Sequence, residues 1–163
     1  MPILTLLLCC EQKVVDEKKV NCLETNCPEW FEVYSEVRES WLEAGVVRGN
    51  NSKDFINVFK DFSSGKHRMG TAEFWGKSEE PKDIYSPQFI VQLSECLKSK
   101  ESSNDLIANL LLALNFELPK EEIGKMLDQL ESTGEVDKFT IEFLVIFNTW
   151  VIMADNDRLG DLN

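Results

Sequence analysis

The stretch from Phe139 to Ala154 constrains the fold of this chain more than any other. It reads Phe-Thr-Ile-Glu-Phe-Leu-Val-Ile-Phe-Asn-Thr-Trp-Val-Ile-Met-Ala, almost without polar relief. A bilayer-spanning helix needs about 20 consecutive apolar residues, and Glu142 and Asn148 interrupt this shorter run. The stretch is therefore not expected to cross a membrane. A helix that is apolar nearly all round lies either at the centre of a core or beneath a partner. In the first case the rest of the chain has to supply amphipathic helices that cover it.

Such helices are readable in order along the sequence. Pro28 suits the first helical position behind Asn26 or Cys27, where a missing N–H costs nothing. Trp30, Tyr34, Val37 and Trp41 then recur at helical spacing until Gly45 offers a stop. Ser52 is the expected cap of a second helix carrying Phe55, Val58, Phe59 and Phe62 on one face. Ser86-Pro87 opens a helix with Phe89, Leu93, Cys96 and Leu97, and Ser102 or Ser103 caps the next, with Ile107, Leu110, Leu111 and Leu114. Leu118-Pro-Lys-Glu-Glu122 starts a further helix whose face is Ile123, Met126, Leu127 and Leu130. No strand-like alternation occurs, so the expected class is all-α. The polar stretch Gly76–Lys82, with Pro81, reads as a linker. It divides the chain into an N-terminal apolar, Cys-containing segment (1–27) and two helical lobes (28–82 and 83–163).

Charge narrows the partners. With 17 Lys+Arg against 29 Asp+Glu the formal charge is −12, which disfavours nucleic acid and anionic membrane surfaces, since both call for a basic stripe. Cations or basic peptides fit better. His67 is the only histidine, and there is no glycine-rich phosphate loop, G-x-S-x-G or C-x-x-C. No catalytic residues and no cofactor are assigned, and the chain is not expected to be an enzyme. The five cysteines, Cys9, Cys10, Cys22, Cys27 and Cys96, read as reduced thiols of a cytoplasmic protein. A zinc site from Cys9, Cys10, Cys22 and Cys27 is a weaker reading, because paired knuckles are missing. The apolar start, Ile3 to Cys10, has no preceding Lys or Arg and no small-x-small site. It is expected to be a buried segment, with a signal peptide as the alternative.

The run Leu110-Leu-Leu-Ala-Leu-Asn-Phe-Glu-Leu-Pro-Lys-Glu-Glu-Ile-Gly-Lys-Met-Leu127, followed by Gly134-Glu-Val-Asp137 and Glu142-Phe-Leu-Val145, resembles the calmodulin, troponin C and myosin light chain superfamily of EF-hand proteins. Phe55–Phe62 with Gly65 and Glu73-Phe-Trp75 is a fainter copy. A calcium loop needs oxygen ligands at positions 1, 3, 5, 7 and 9, glycine at 6 and a bidentate Glu at 12. With Glu142 at 12, Glu131, Glu135 and Asp137 stand at 1, 5 and 7, but position 6 is Val136 and position 8 is Lys138. The loops near Lys66-His-Arg68 and Lys98–Asp105 are too short and too basic. The resemblance thus implies degenerate hands that hold no metal, with Glu131, Glu135, Asp137 and Glu142 as the weak candidates.

What the resemblance implies for function is a light-chain-like or troponin C-like module that grips an amphipathic basic helix without calcium. Met126, Phe143, Phe147, Trp150 and Met153 are the candidate groove residues, although each taken singly is more simply read as core or solvated surface. The alternatives are a calcium sensor with a noncanonical site and an unrelated all-α interaction protein, such as a viral or host-modulating one.

Overall fold

The computed structural model describes residues 17–66, 87–112 and 118–160, and these form α-helices joined by short turns, with no strand among them. In chain order the helices are α1 (17–26), α2 (Pro28–Glu43), α3 (Ser52–Ser63), α4 (Pro87–Leu97), α5 (Glu101–Leu111), α6 (Lys120–Thr133) and α7 (Lys138–Gly160). The all-α expectation holds for these residues. The Ile3–Cys10 segment, His67 and the Gly76–Lys82 linker lie outside them.

Helix α7 is the axis of the molecule. Every residue from Phe139 to Met153 is buried, and α2, α3, α5 and α6 all pack against it. Aromatic rings seal the α2–α7 contact. Trp30 meets Trp150 edge-on at 5.0 Å between centroids and Phe147 at 5.4 Å, while Tyr34 lies 5.2 Å from Phe139 and 5.5 Å from Phe143. The apolar faces read from α2 and α3 supply Val37, Trp41, Phe55 and Phe59, all essentially inaccessible. Buried side chains from Leu23 to Met153 join one cluster, to which both stretches expected as lobes, 28–82 and 83–163, contribute.

Two buried side chains of α7 donate back to the helix itself, while Asn148 Oδ1 has no hydrogen-bond partner among the described residues. Asn148 Nδ2 donates to the Leu144 carbonyl and Thr149 Oγ1 to that of Val145, both at 2.8 Å. Back-bonding of this kind lets a polar side chain sit in a dry interior.

The helix ends follow the sequence in part. Pro28 is the first residue of α2 behind Cys27, and Gly45 takes a φ of 69° just beyond that helix. At α3 the cap is Asn51 rather than Ser52. Asn51 accepts from the Asp54 backbone at 3.0 Å while Asp54 reaches back to the Asn51 N–H, closing a capping box. Ser102 and Ser103 do not cap α5, which starts behind Lys100; both serines donate to Glu135 instead. Gly134 closes α6 with a φ of 63°, a conformation for which a side chain would add strain. The sharp turn between α6 and α7 therefore falls at Gly134, two residues before Val136.

Candidate functional site

Of the four acids that the sequence offered as metal candidates, three are drawn to different partners. Glu131 stays within α6. Glu135 accepts from Ser102 and Ser103, and these hydroxyls hold its carboxyl below the usual carboxylate range. Asp137 caps α7, accepting the Thr140 backbone N–H at 2.9 Å and the Thr140 hydroxyl at 3.0 Å. Glu142 points the other way, toward α2, where Oε2 accepts from Arg38 Nε at 2.7 Å and from the Tyr34 hydroxyl at 3.2 Å. Among the described residues no three His, Cys, Asp or Glu side chains converge as a cation cage would require.

Asp137 has a second partner, Lys19 of α1. This lysine is 6% exposed. Its ammonium donates to the Leu97 carbonyl at 3.2 Å, Ser99 Oγ at 3.0 Å and Thr140 Oγ1 at 2.8 Å, and it forms an ion pair with Asp137. Three N–H bonds are shared among four acceptors, so the buried charge is both neutralised and fully solvated by protein. The Lys19–Ser99 contact has the composition of a base–nucleophile pair but not its chemistry. An ammonium that donates in every direction has no lone pair with which to take the serine proton.

Next to Lys19 the same helix is tied covalently. Cys22 of α1 is bonded to Cys96 of α4, with their Cα atoms 5.5 Å apart and 74 residues between them in sequence. The expectation of reduced cysteines is corrected for this pair, since their Cβ atoms are brought within bridging distance by the docking of α1 on α4. Cys22 is thereby removed from any zinc site, and Cys9 and Cys10 lie outside the described residues. Cys27 remains a free, buried thiol. Burial pushes its pKa up, which keeps it protonated and unreactive.

The residues proposed from sequence as a partner groove lie inside. Phe143, Phe147 and Trp150 are each 1% exposed, Met153 is buried, and Met126 is partly buried at the edge of the core. Packing of Phe147 and Trp150 against Trp30, and of Phe143 against Tyr34, places these three on the α2–α7 seam.

A different concavity opens on the outside of that seam. A groove of about 680 Å³ runs between α1, α2 and the first turns of α7. Its apolar lining is Val20, Phe31, Leu42 and Phe139, the first three of them only partly buried. Its basic side chains are already engaged. Arg38 and Lys138 both face Glu142, with Lys138 Nζ 3.3 Å from Oε1, and Arg38 also lies 5.9 Å from the Phe55 ring centroid. Burial alone would lower the Arg38 pKa, but the hydrogen bond and charge of Glu142 outweigh it and raise it. What the groove leaves uncommitted is acidic: Glu39 and Glu43, one turn apart on α2, are exposed along its rim.

These residues had a partial signal in the sequence. Phe31, Ser35, Glu39 and Leu42–Glu43 follow helical spacing and define a second, mixed face of α2 beside the buried one. The Lys19 network and the cysteine pair had none, because their partners are 74 to 121 residues away. No family model, curated protein or solved structure matches the chain.

Proposed function

We propose that this chain is a non-enzymatic binding module that grips a basic amphipathic helix of a partner protein, without calcium, in the manner of a light chain or of troponin C. The observation that carries the reading is the α1–α2–α7 groove, with Val20, Phe31 and Leu42 partly exposed on its floor and Glu39 and Glu43 on its rim. A helix with apolar residues on one side and Lys or Arg on the flank matches that arrangement in shape and charge. The net charge of −12 extends the field beyond the rim and speeds encounter with a cationic segment. Independence from calcium is supported by the acids themselves. Glu135, Asp137 and Glu142 are each engaged by hydroxyl, ammonium or guanidinium groups of the protein.

The test is a fluorescence-anisotropy titration of a labelled Leu/Lys amphipathic peptide with the full chain, in calcium and in chelator. Equal binding in both media is expected, with affinity reduced about tenfold or more by the double reversal Glu39→Lys/Glu43→Lys, as for removal of complementary rim charges. Both residues are exposed, so circular dichroism and melting serve as controls for intact folding. Binding that needs calcium, or that ignores the charge reversal, overturns the reading.

A further inference from the structure

Helix α1 differs from the other helices around the groove in how it is held. It supplies Val20 to the groove lining, and that residue stands between two tethers. One residue earlier, Lys19 reaches Leu97, Ser99, Asp137 and Thr140. Two residues later, Cys22 is bonded to Cys96. Cys96 is 5% exposed, whereas Cys22 is only partly buried. Cys22 is therefore the more exposed end of the bond.

We infer that the Cys22–Cys96 bond is a redox latch on α1, and that through Val20 it sets whether the groove is complete. The second clause rests on the function proposed for the groove; the first does not. Opening requires a dithiol. Its thiolate attacks the sulfur of Cys22, the more exposed residue of the pair, the S–S bond breaks, and Cys96 leaves as a thiolate that takes a proton. The second thiol of the reductant then attacks the mixed disulfide and releases Cys22, which is protonated in turn, while the reductant becomes a disulfide. An oxidised dithiol closes the latch by the reverse sequence. Cys27, five residues from Cys22 and the nearest free thiol in sequence, does not compete, because it is buried and a thiol without solvent access or a thiolate is a poor attacking group. In a reducing compartment the bond is open at rest and closes on oxidative challenge, the usual use of a disulfide there.

When the bond opens, α1 is left to the Lys19 contacts and to Leu23 and Cys27, its and its cap's buried residues. Part of the population then has α1 undocked, and the apparent affinity of any groove ligand falls in proportion to the competent fraction.

The experiment compares the oxidised full chain, the same protein after dithiothreitol, and the variant Cys22→Ser, by amide hydrogen exchange and by titration with the labelled Leu/Lys peptide. Reduction is expected to speed exchange in residues 17–26 while α7 stays protected, and to weaken peptide binding about tenfold; reoxidation restores both. Unchanged exchange in 17–26 after verified reduction overturns the latch. Faster exchange with unchanged peptide affinity overturns its link to the groove. Absence of peptide binding in the oxidised protein overturns the groove reading, and the exchange data still decide the latch. Because dithiothreitol acts on the folded wild type, failure of Cys22→Ser to fold does not blunt the test.

Discussion

Helices α7 and α1 are both immobilised, by opposite means. From Phe139 to Met153 helix α7 has no exposed residue, and its hold on the molecule is a sum of ring and methyl contacts on all sides. Helix α1 has Leu23 as its one fully buried apolar residue and depends on one ammonium group and one covalent bond. Dispersed packing degrades gradually with each lost contact and responds to nothing in solution. Concentrated tethers fail one at a time and respond to chemistry. The groove borders both helices, so one wall is fixed and the other is conditional.

The largest expected effect sharpens the α7 side. Trp150→Ala removes a side chain 1% exposed and should cost about 3–5 kcal/mol of unfolding free energy, in the range for buried aromatic truncations. Urea denaturation measures it, and a loss below about 1 kcal/mol would mean that α7 is not held by packing. Lys19→Met probes α1. It leaves Asp137, with a side chain 7% exposed, without its cation, and about 3 kcal/mol is expected for breaking a buried pair. Adding Asp137→Asn should recover part of that loss, because a neutral amide still accepts from Thr140. No recovery would break the view that the lysine acts as a counter-charge.

The smallest effect belongs to a surface pair, which serves as a baseline for the buried one. Asp128 of α6 is bridged by Lys53, at 2.5 Å, and by Lys60, both of α3. Burial alone would raise its pKa, but the two lysine hydrogen bonds and charges outweigh it and lower it. The stability it contributes is thus present above the ordinary carboxylate value of about 3.9 and disappears as pH falls through the depressed value. Asp128→Asn should cost less than about 1 kcal/mol at neutral pH, given the exposure of all three side chains. It should also flatten the acid limb of the stability–pH curve below about pH 4. An effect as large as that of Lys19→Met would erase the distinction between buried and surface tethers.

The same contrast governs what could be read from residues alone. Helix α7 was legible because an excess of apolar side chains is a local property, and so were the inner faces of α2 and α3, where Trp30, Tyr34 and Val37, or Phe55, Val58 and Phe59, repeat at the helical period. Local periodicity does not distinguish a core aromatic from a groove aromatic. Phe147 and Trp150 therefore fitted either use until Trp30 was found against both. Lys19 sits in the charged run Glu17-Lys-Lys19, which by composition is a solvated face; only the arrival of Asp137 and Thr140 makes its burial tolerable. The α3 cap was legible to within a residue, since Asn51 and Ser52 are both good acceptors and the choice is made by Asp54, whereas the serines expected to cap α5 are drawn to Glu135. The acids of the α6–α7 turn had the right length for a cation loop. Their competition for Ser102, Lys19 and Arg38 was set by helices distant in the chain.

The position of α7 along the chain has a consequence for how the protein is made. The helices it organises, α2, α3, α5 and α6, all precede it, and the Arg38–Glu142 pair closes 104 residues. During synthesis their apolar faces emerge long before the element that covers them. Assembly must wait for α7, which follows the other described helices, and then proceed through long-range contacts, which slow folding. A truncation that removes α7 is thus expected to expose the apolar faces of α2, α3, α5 and α6 and to leave an aggregate rather than a smaller domain.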